Sequence, residues 1–277
     1  MRVKRLFRWG RINMKKEEVT ELEHPYFDIQ VQMGVTKHMG GWKATQELAE
    51  MCHIEENKYV LIVGCGNGIS ACKLAKTYGC RIVGIDISEG MVELSQNRAQ
   101  KEGLTEIVGF RVADAQELPF EDDVFDAVIS ESVTSFPEDK VKAISEYARV
   151  VKRGGYIGLN EVTWMEEPSP EMEEYTIRAI GGCKPETAQG WEKMLENSGL
   201  QDIIVRPYRM KKLDQAIGEI KMSGLVPPLK GFYKLTLLYL TKPAYRKAVN
   251  DMVRDATAIP RYFMKYYGYG IYAGKKP

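Results

Sequence analysis

Three glycines at alternate positions, Gly64, Gly66 and Gly68, stand between an apolar run and a segment with helical spacing. The run is Tyr59-Val-Leu-Ile-Val63, and Ile69, Ala71, Leu74 and Ala75 follow the glycines on one stripe. The pattern predicts a buried strand, a tight turn and the start of a helix. Glycine reaches φ > 0 without a Cβ clash and lets a ligand approach the bare backbone. The helix start presents unpaired N–H groups and a partial positive charge, which suit carboxylate, phosphate or ribose oxygens. A carboxylate follows at a matching place. Cys80-Arg-Ile-Val-Gly-Ile85 reads as a second buried strand ending in Asp86, 22 residues after Gly64. An acid there can grip two ribose hydroxyls in a nucleotide-binding α/β fold. A third strand ends in another carboxylate, Asp114, within Val112-Ala-Asp-Ala-Gln-Glu-Leu-Pro-Phe120. Gly-x-Gly-x-Gly alone is a weak signal; the two acids give it weight.

The elements that position these residues alternate along the chain. A helix over Ser88–Glu102, with Ser88 as N-cap and Glu89 in its first turn, follows Asp86. Strands are predicted near Ile107–Val112 and Ala127–Ser130, then a helix starting at Pro137 and running to Val150. Gly154-Gly155 turns the chain into a strand over Tyr156–Val162. Strands separated by helices give a parallel sheet, and ligands bind at the carboxyl ends of its strands. Gly64, Asp86, Asp114 and Ser130 all fall there. Beyond Val162 the pattern thins: 166–187 reads as an insertion, Thr187–Asn197 as a helix and Gln201–Arg206 as a sixth strand. Residues 211–264 break the alternation, and Tyr266-Tyr-Gly-Tyr-Gly-Ile-Tyr-Ala-Gly alternates like a terminal strand. Trp42–Ile54 reads as an amphipathic helix leading into the first strand.

From about Lys58 to Val162 these features together resemble the class I S-adenosylmethionine-dependent methyltransferases. The segment Leu118-Pro-Phe-Glu-Asp-Asp-Val-Phe-Asp126 is most similar to the branch holding ubiquinone and menaquinone C-methyltransferases and small-molecule methyltransferases. The resemblance implies an α/β, Rossmann-like three-layer sandwich. Its sheet would be mostly parallel and seven-stranded with an antiparallel last strand, and helical additions would flank it at both ends. It implies S-adenosylmethionine as cofactor. Asp86 would accept from the ribose, with Ile87 and Met91 near the adenine. Asp114 would accept the adenine amino group beside the Ala115 N–H. The glycine turn, with Gly64, Cys65, Gly66 and Gly68, would lie under the methionine carboxylate, and Ser130 would face the methionine end. The family usually carries an acid two residues before the first glycine, where this chain has Ile62.

The division that follows is a basic arm over 1–16, an N-terminal lid segment over 17–57 and the cofactor-binding core over 58–210. A helical substrate cap over 211–264 and the final strand over 265–277 complete it. Gly40 and Gly41 suit hinges of a lid, and equally a turn in a packed entry segment. A general base is needed only where the acceptor must lose a proton. The candidates are Glu131 after the fourth strand, Glu161 near the end of the fifth, and His38 in the lid segment. Trp164, Tyr26 and Phe27 could line an apolar or cation-binding pocket, or simply pack in the core.

Composition narrows the classes. The net charge is +1, yet residues 1–16 carry seven Lys/Arg and no acid, and residues 221–277 carry a net +9. An acidic middle between basic ends allows an anionic partner near the ends. Five cysteines without a C-x-x-C pair and three scattered histidines point to no metal site, no disulfide framework and a reducing, cytoplasmic setting. No apolar run reaches about eighteen residues. The basic start lacks the apolar core of a signal peptide; it reads as a disordered arm, a surface anchor, or sequence upstream of a start at Met14. Ten of the 27 aromatics follow residue 220, which makes the C-terminal region a lid for a hydrophobic acceptor, an interfacial anchor on a membrane, or ordinary packing. The expected partner is a small-molecule acceptor, nucleic acid is not expected, and peripheral membrane contact and a homo-oligomer stay open. Two other functions remain: a non-catalytic S-adenosylmethionine-binding or assembly protein, and a nicotinamide-dependent oxidoreductase. The second would want its third glycine one place later, where Ile69 stands.

Overall fold

The structure, a computed structural model, describes residues 22–36, 39–210 and 226–277, with side chains in the last block from residue 229. The basic arm, His38 and the first part of the 211–264 segment lie outside the described residues. Five strands run parallel: β1 (Tyr59–Val63), β2 (Arg81–Asp86), β3 (Val108–Val112), β4 (Phe125–Glu131) and β5 (Val151–Trp164). With β7 (Gln201–Arg209) and β8 (Tyr267–Lys275) they form a sheet of order β3-β2-β1-β4-β5-β8-β7. The last strand of the chain is antiparallel to both of its neighbours, β5 and β7. The expected seven-stranded, mostly parallel sheet is therefore borne out, with a two-residue eighth strand, β6 (Glu186–Thr187), added against the end of β5.

Burial follows the apolar runs. Val60, Leu61, Ile62 and Val63 are each at most 2 % exposed, because β1 is central and covered on both faces. One face packs under α2 (Gly41–Met51), α3 (Ile69–Tyr78) and α4 (Glu89–Lys101), with Leu48, Ala71, Ala99, Ile62, Ile129 and Ile271 in one cluster. The other packs under α5 (Lys140–Val150) and α7 (Ala188–Asn197), with Val63, Val128, Ile144, Tyr147, Leu159 and Trp191. Each fully buried aliphatic side chain of this kind contributes about 1.5–3 kcal/mol.

Several boundaries shift for physical reasons. The helix expected from Pro137 begins at Lys140, because the Asp139 carboxylate caps it by accepting from the Lys142 N–H at 2.8 Å. Within the presumed insertion over 166–187 lies a helix, α6 (Pro170–Ala179), with Pro170 at its first position and Glu171 and Glu173 in its first turn. β5 extends to both sides of the predicted span because it pairs with β4, β6 and β8. The Tyr/Gly alternation of β8 does not mark a half-exposed strand. Seven of its nine residues are buried, and the glycines admit close neighbours: a Cβ at Gly268 would stand 2.5 Å from the Tyr208 carbonyl oxygen. Outside the sheet, α1 (Pro25–Met33) packs against α8 (Val226–Thr241) and α9 (Pro243–Thr257), and α10 (Phe263–Tyr266) leads into β8.

α2 reaches the sheet closely at Gly158, where an added Cβ would lie 2.6 Å from Cys52 Sγ and 2.8 Å from Leu48 Cδ1. Gly158→Val is expected to cost about 1–3 kcal/mol in urea denaturation by overpacking. Gly109→Ala, with nothing near the added carbon, is expected to stay within about 0.5 kcal/mol.

Candidate ligand-binding site

Strand register sets four residues abreast at the carboxyl edge. Val63 pairs with Ile85 on one side and Ser130 on the other, so the next residues, Gly64, Asp86 and Glu131, are level. Glu131 pairs in turn with Asn160. Partners on adjacent strands share a face. Two residues back on that row stand Ile62 and Ile129, in the core under α2–α4. Asp86, Gly64, Glu131 and Asn160 thus form one row on the α2–α4 face, at the ends of β2, β1, β4 and β5.

The glycine turn in this row is locked by its surroundings. Gly64, Gly66 and Gly68 have φ of +67°, +54° and +76°, which side-chain-bearing residues adopt poorly. A Cβ at Gly64 would collide with Val133, and one at Gly66 with Thr36. Asp86 bridges two turns: the Gly66 N–H and the Ser88 N–H each donate to its carboxylate at 2.9 Å. Ser95 donates to the Gly66 carbonyl at 2.7 Å, and Arg98 Nε to the Asn67 carbonyl at 2.9 Å. Asn67 Oδ1 accepts from the Ile69 N–H at 3.2 Å, while its Nδ2 donates to the Gly34 carbonyl at 2.9 Å, tying the segment after α1 to the turn. Burial pushes the Asp86 carboxyl up to about 6, against the lowering pull of the Ser88, Gly66 and Ile87 N–H groups.

The remaining cofactor candidates gather at the same edge. Ile87 is 40 % exposed, and Met91 is buried with its N–H donated to the Ser88 hydroxyl at 3.3 Å, the predicted N-cap. Asp114 accepts from the Gln116 N–H at 2.8 Å, with Ala115 half-buried inside that turn. Burial raises the Cys65 thiol far above its ordinary range, so it stays protonated and is no nucleophile.

Two candidates belong elsewhere. Ser130 lies one residue before Glu131 and so points to the opposite face; it is fully buried, and its hydroxyl pairs with that of Thr134 at 2.8 Å. Its side chain does not face the row, which leaves only its backbone to do so. Glu161 is on that opposite face too. It accepts from the N–H groups of Val133, Thr134 and Ser135 at 3.0, 2.7 and 3.3 Å and from the Ser135 hydroxyl at 2.8 Å. Fully buried, with its pKa raised by desolvation against those donors, it pins the loop after β4 and is not placed as a base. Glu131, 8 % exposed, stays on the row, and Thr45 of α2 donates to it at 2.8 Å. Trp164 is core, edge-on to Phe263 and Tyr267. Tyr26 and Phe27 border a cavity of about 200 Å³ with Ile177, Gly181 and Gly182. A second cavity of about 220 Å³ opens at the amino ends of the strands, lined by His53, Lys58, Asp126, Lys152 and Tyr156, away from the row.

Sequence reasoning missed Asn67, Ser95, Thr45 and Asn160. A signal existed for Asn160: a polar residue inside the apolar run Ile157-Gly-Leu-Asn-Glu-Val-Thr-Trp164, held fully buried because Nδ2 donates to the Met39 carbonyl at 2.8 Å.

A family profile described as "Methyltransferase domain" matches residues 61–159. An uncharacterized protein of Haemophilus influenzae is 36 % identical over 194 residues, 69 % of this chain and 77 % of that one. The 27-O-demethylrifamycin SV methyltransferase of Amycolatopsis mediterranei is 28 % identical over 245 residues, 78 % of this chain and 88 % of that one. Among solved structures, the [4+2]-cyclase SpnF shares the fold, with a TM-score of 0.72 at 22 % identity, covering 92 % of this chain and 95 % of that one.

Removing the Glu161 carboxylate as Glu161→Ala leaves several buried donors without an acceptor, an expected loss of about 3 kcal/mol or more in chemical denaturation. Glu161→Gln, which keeps one acceptor oxygen, is expected to lose less; a change under about 1 kcal/mol in the alanine variant would show that the loop holds itself.

Proposed function

We propose that this chain, which belongs to the class I S-adenosylmethionine-dependent methyltransferases, transfers the methyl group to a small, hydrophobic or aromatic acceptor. The observation that carries the reading is the glycine turn flanked by Asp86. Gly64, Gly66 and Gly68 hold a positive-φ turn that leaves bare backbone at the strand end, and the acid beside it already accepts two backbone N–H groups. These residues fit S-adenosylmethionine, the cofactor of the family. Asp86 would accept from the ribose hydroxyls, Ile87 and Met91 would pack on the adenine, and Asp114 with the Ala115 N–H would read its edge. The turn and the start of α3 would take the carboxylate, as an N-terminal dipole favours.

The cofactor supplies an already activated methyl group on a sulfonium. What falls to the protein is to align the acceptor for in-line displacement and to exclude water. Val31 packs where a Cβ at Gly90 would stand, and Thr36 covers Gly66. This supports a lid role for the 17–57 segment, while α8 and α9 against α1 support a cap role for 211–264. Tyr26 and Phe27 of that lid segment and Phe136, whose rings meet edge-on at 5.3 Å, offer an apolar surface. The relative named 27-O-demethylrifamycin SV methyltransferase supports a small-molecule acceptor. Glu131 and His38 are the groups left for a base, should the acceptor carry a proton. A second reading, S-adenosylmethionine binding without methyl transfer, rests on Ile62 standing where the family usually carries an acid; binding with no turnover on any acceptor would select it.

Calorimetric titration at neutral pH is expected to show micromolar S-adenosylmethionine binding, weakened at least tenfold in Asp86→Ala, and no binding of NADH. Binding of NADH alone would overturn the proposal. Since the Asp86 pKa is raised to about 6, the acceptor form dominates above that pH. Affinity for S-adenosylhomocysteine is expected to be level above pH 7 and to fall as pH drops through about 6, approaching tenfold per unit, with a flat profile in Asp86→Asn.

A further inference from the structure

α8 is apolar on both of its sides. Its inner side rests on α1, where Gly231 is buried and a Cβ added to it would meet the Met33 carbonyl. On its outer side Leu229, Phe232, Tyr233, Leu237 and Leu240 are each at least 44 % exposed. With Thr236 they recur at i, i+3, i+4, i+7, i+8 and i+11, the spacing of a single helix face. Thr236 adds no free donor there, because its hydroxyl donates to the Phe232 carbonyl at 2.9 Å. Large apolar side chains gathered in one exposed stripe mark a contact surface. The charge around the stripe is of one sign. Residues 226–250 carry five Lys/Arg and no acid. Lys230 and Lys234 follow Leu229 and Tyr233 by one residue and so border one side of the stripe, and Lys242 stands beyond its end. None of these three lysines is in an ion pair among the described residues. The acids that follow, Asp251 and Asp255, are held by Arg254 at 2.8 and 3.7 Å.

We propose that the outer face of α8 seats on an anionic lipid surface. Both features of the stripe find their complement there. Its leucine and aromatic side chains leave water for the boundary between headgroups and acyl chains. The lysine ammoniums reach anionic headgroups on their aliphatic stems. Other covers of the face match only its apolar part. A second copy meeting it across a two-fold axis would set the same lysines against one another. The chain's own residues 1–16, with seven Lys/Arg and no acid, bring the same sign again. α8 has 16 residues, fewer than the roughly twenty that span a bilayer, and α1 occupies its inner side, so it lies along the surface. α1 leads into Gly34, whose carbonyl accepts from the Asn67 amide of the glycine turn. The lipid would therefore lie one helix away from the ligand edge, whatever that edge binds.

The test is co-sedimentation of the full chain with two kinds of vesicle, phosphatidylcholine alone and phosphatidylcholine mixed with phosphatidylglycerol. The parent is expected to bind the mixed vesicles at least tenfold more tightly than the neutral ones, and to be released as salt screens the lysines. Phe232→Ser combined with Leu240→Ser is expected to weaken binding to the mixed vesicles at least tenfold. Lys230→Gln combined with Lys234→Gln is expected to weaken it about fivefold per lysine and to leave binding to neutral vesicles unchanged. Because the altered side chains are exposed, both variants are expected to keep the parent's urea midpoint. No binding to the mixed vesicles, or equal binding to both kinds, would overturn the proposal. A fall in the urea midpoint of the serine variant would overturn it by assigning the face to another part of the same chain. A parent dimer in light scattering that the serine variant dissociates would overturn it in favour of a second copy.

Discussion

The hydrogen bonds from the Gly66 and Ser88 N–H groups to Asp86 join the turn after β1 to the turn after β2. Without them the helix starts of α3 and α4 would have no common reference, and the ligand edge would be two independent loops. The cost is a carboxylate taken out of water, visible in its raised pKa. The backbone donors offset that cost, as hydrogen bonds to an ionised group do. Around this bridge the other contacts are arranged: Ser95 holds the Gly66 carbonyl, Arg98 the Asn67 carbonyl, and Asn67 reaches the segment after α1.

The two faces of the sheet divide the polar side chains of its edge. On the face under α5 and α7, Glu161 gathers the loop after β4 and Ser130 joins Thr134. On the face under α2, Glu131 and Asn160 remain level with the glycine turn. Glu161, with four loop donors, is a structural part, whereas Glu131 takes a single hydroxyl donor from Thr45 of α2 among the bonds described above.

The C-terminal helices show both packing and exposure. Gly231 of α8 seats against the Met33 carbonyl of α1, while Leu229, Phe232, Tyr233 and Leu240 on its outward side are each more than 60 % exposed. The aromatic richness of this region is thus not explained by core packing alone. No helix among the described residues is long and apolar enough to cross a membrane.

The order of strands and helices from β1 to β5, the glycine turn, Asp86 and the Ser88 cap were legible in the sequence. Each is a local pattern: an apolar run, a residue that tolerates φ > 0, a side chain that reaches its own backbone. The place of β8 between β5 and β7 is a pairing of distant segments, which no local pattern carries. Whether Ser130 or Glu131 lies level with the glycine turn depends on a parity of one residue, and that parity is set by the register of β4 on β1. Asn160 joins the row only because β4 brings Glu131 beside it, and Glu161 leaves the list of bases only because a loop 26 to 28 residues earlier closes on it. The residue types and the local turns were therefore settled by the chain itself, and the faces and neighbours by the tertiary structure, since these are relations between strands rather than properties of one.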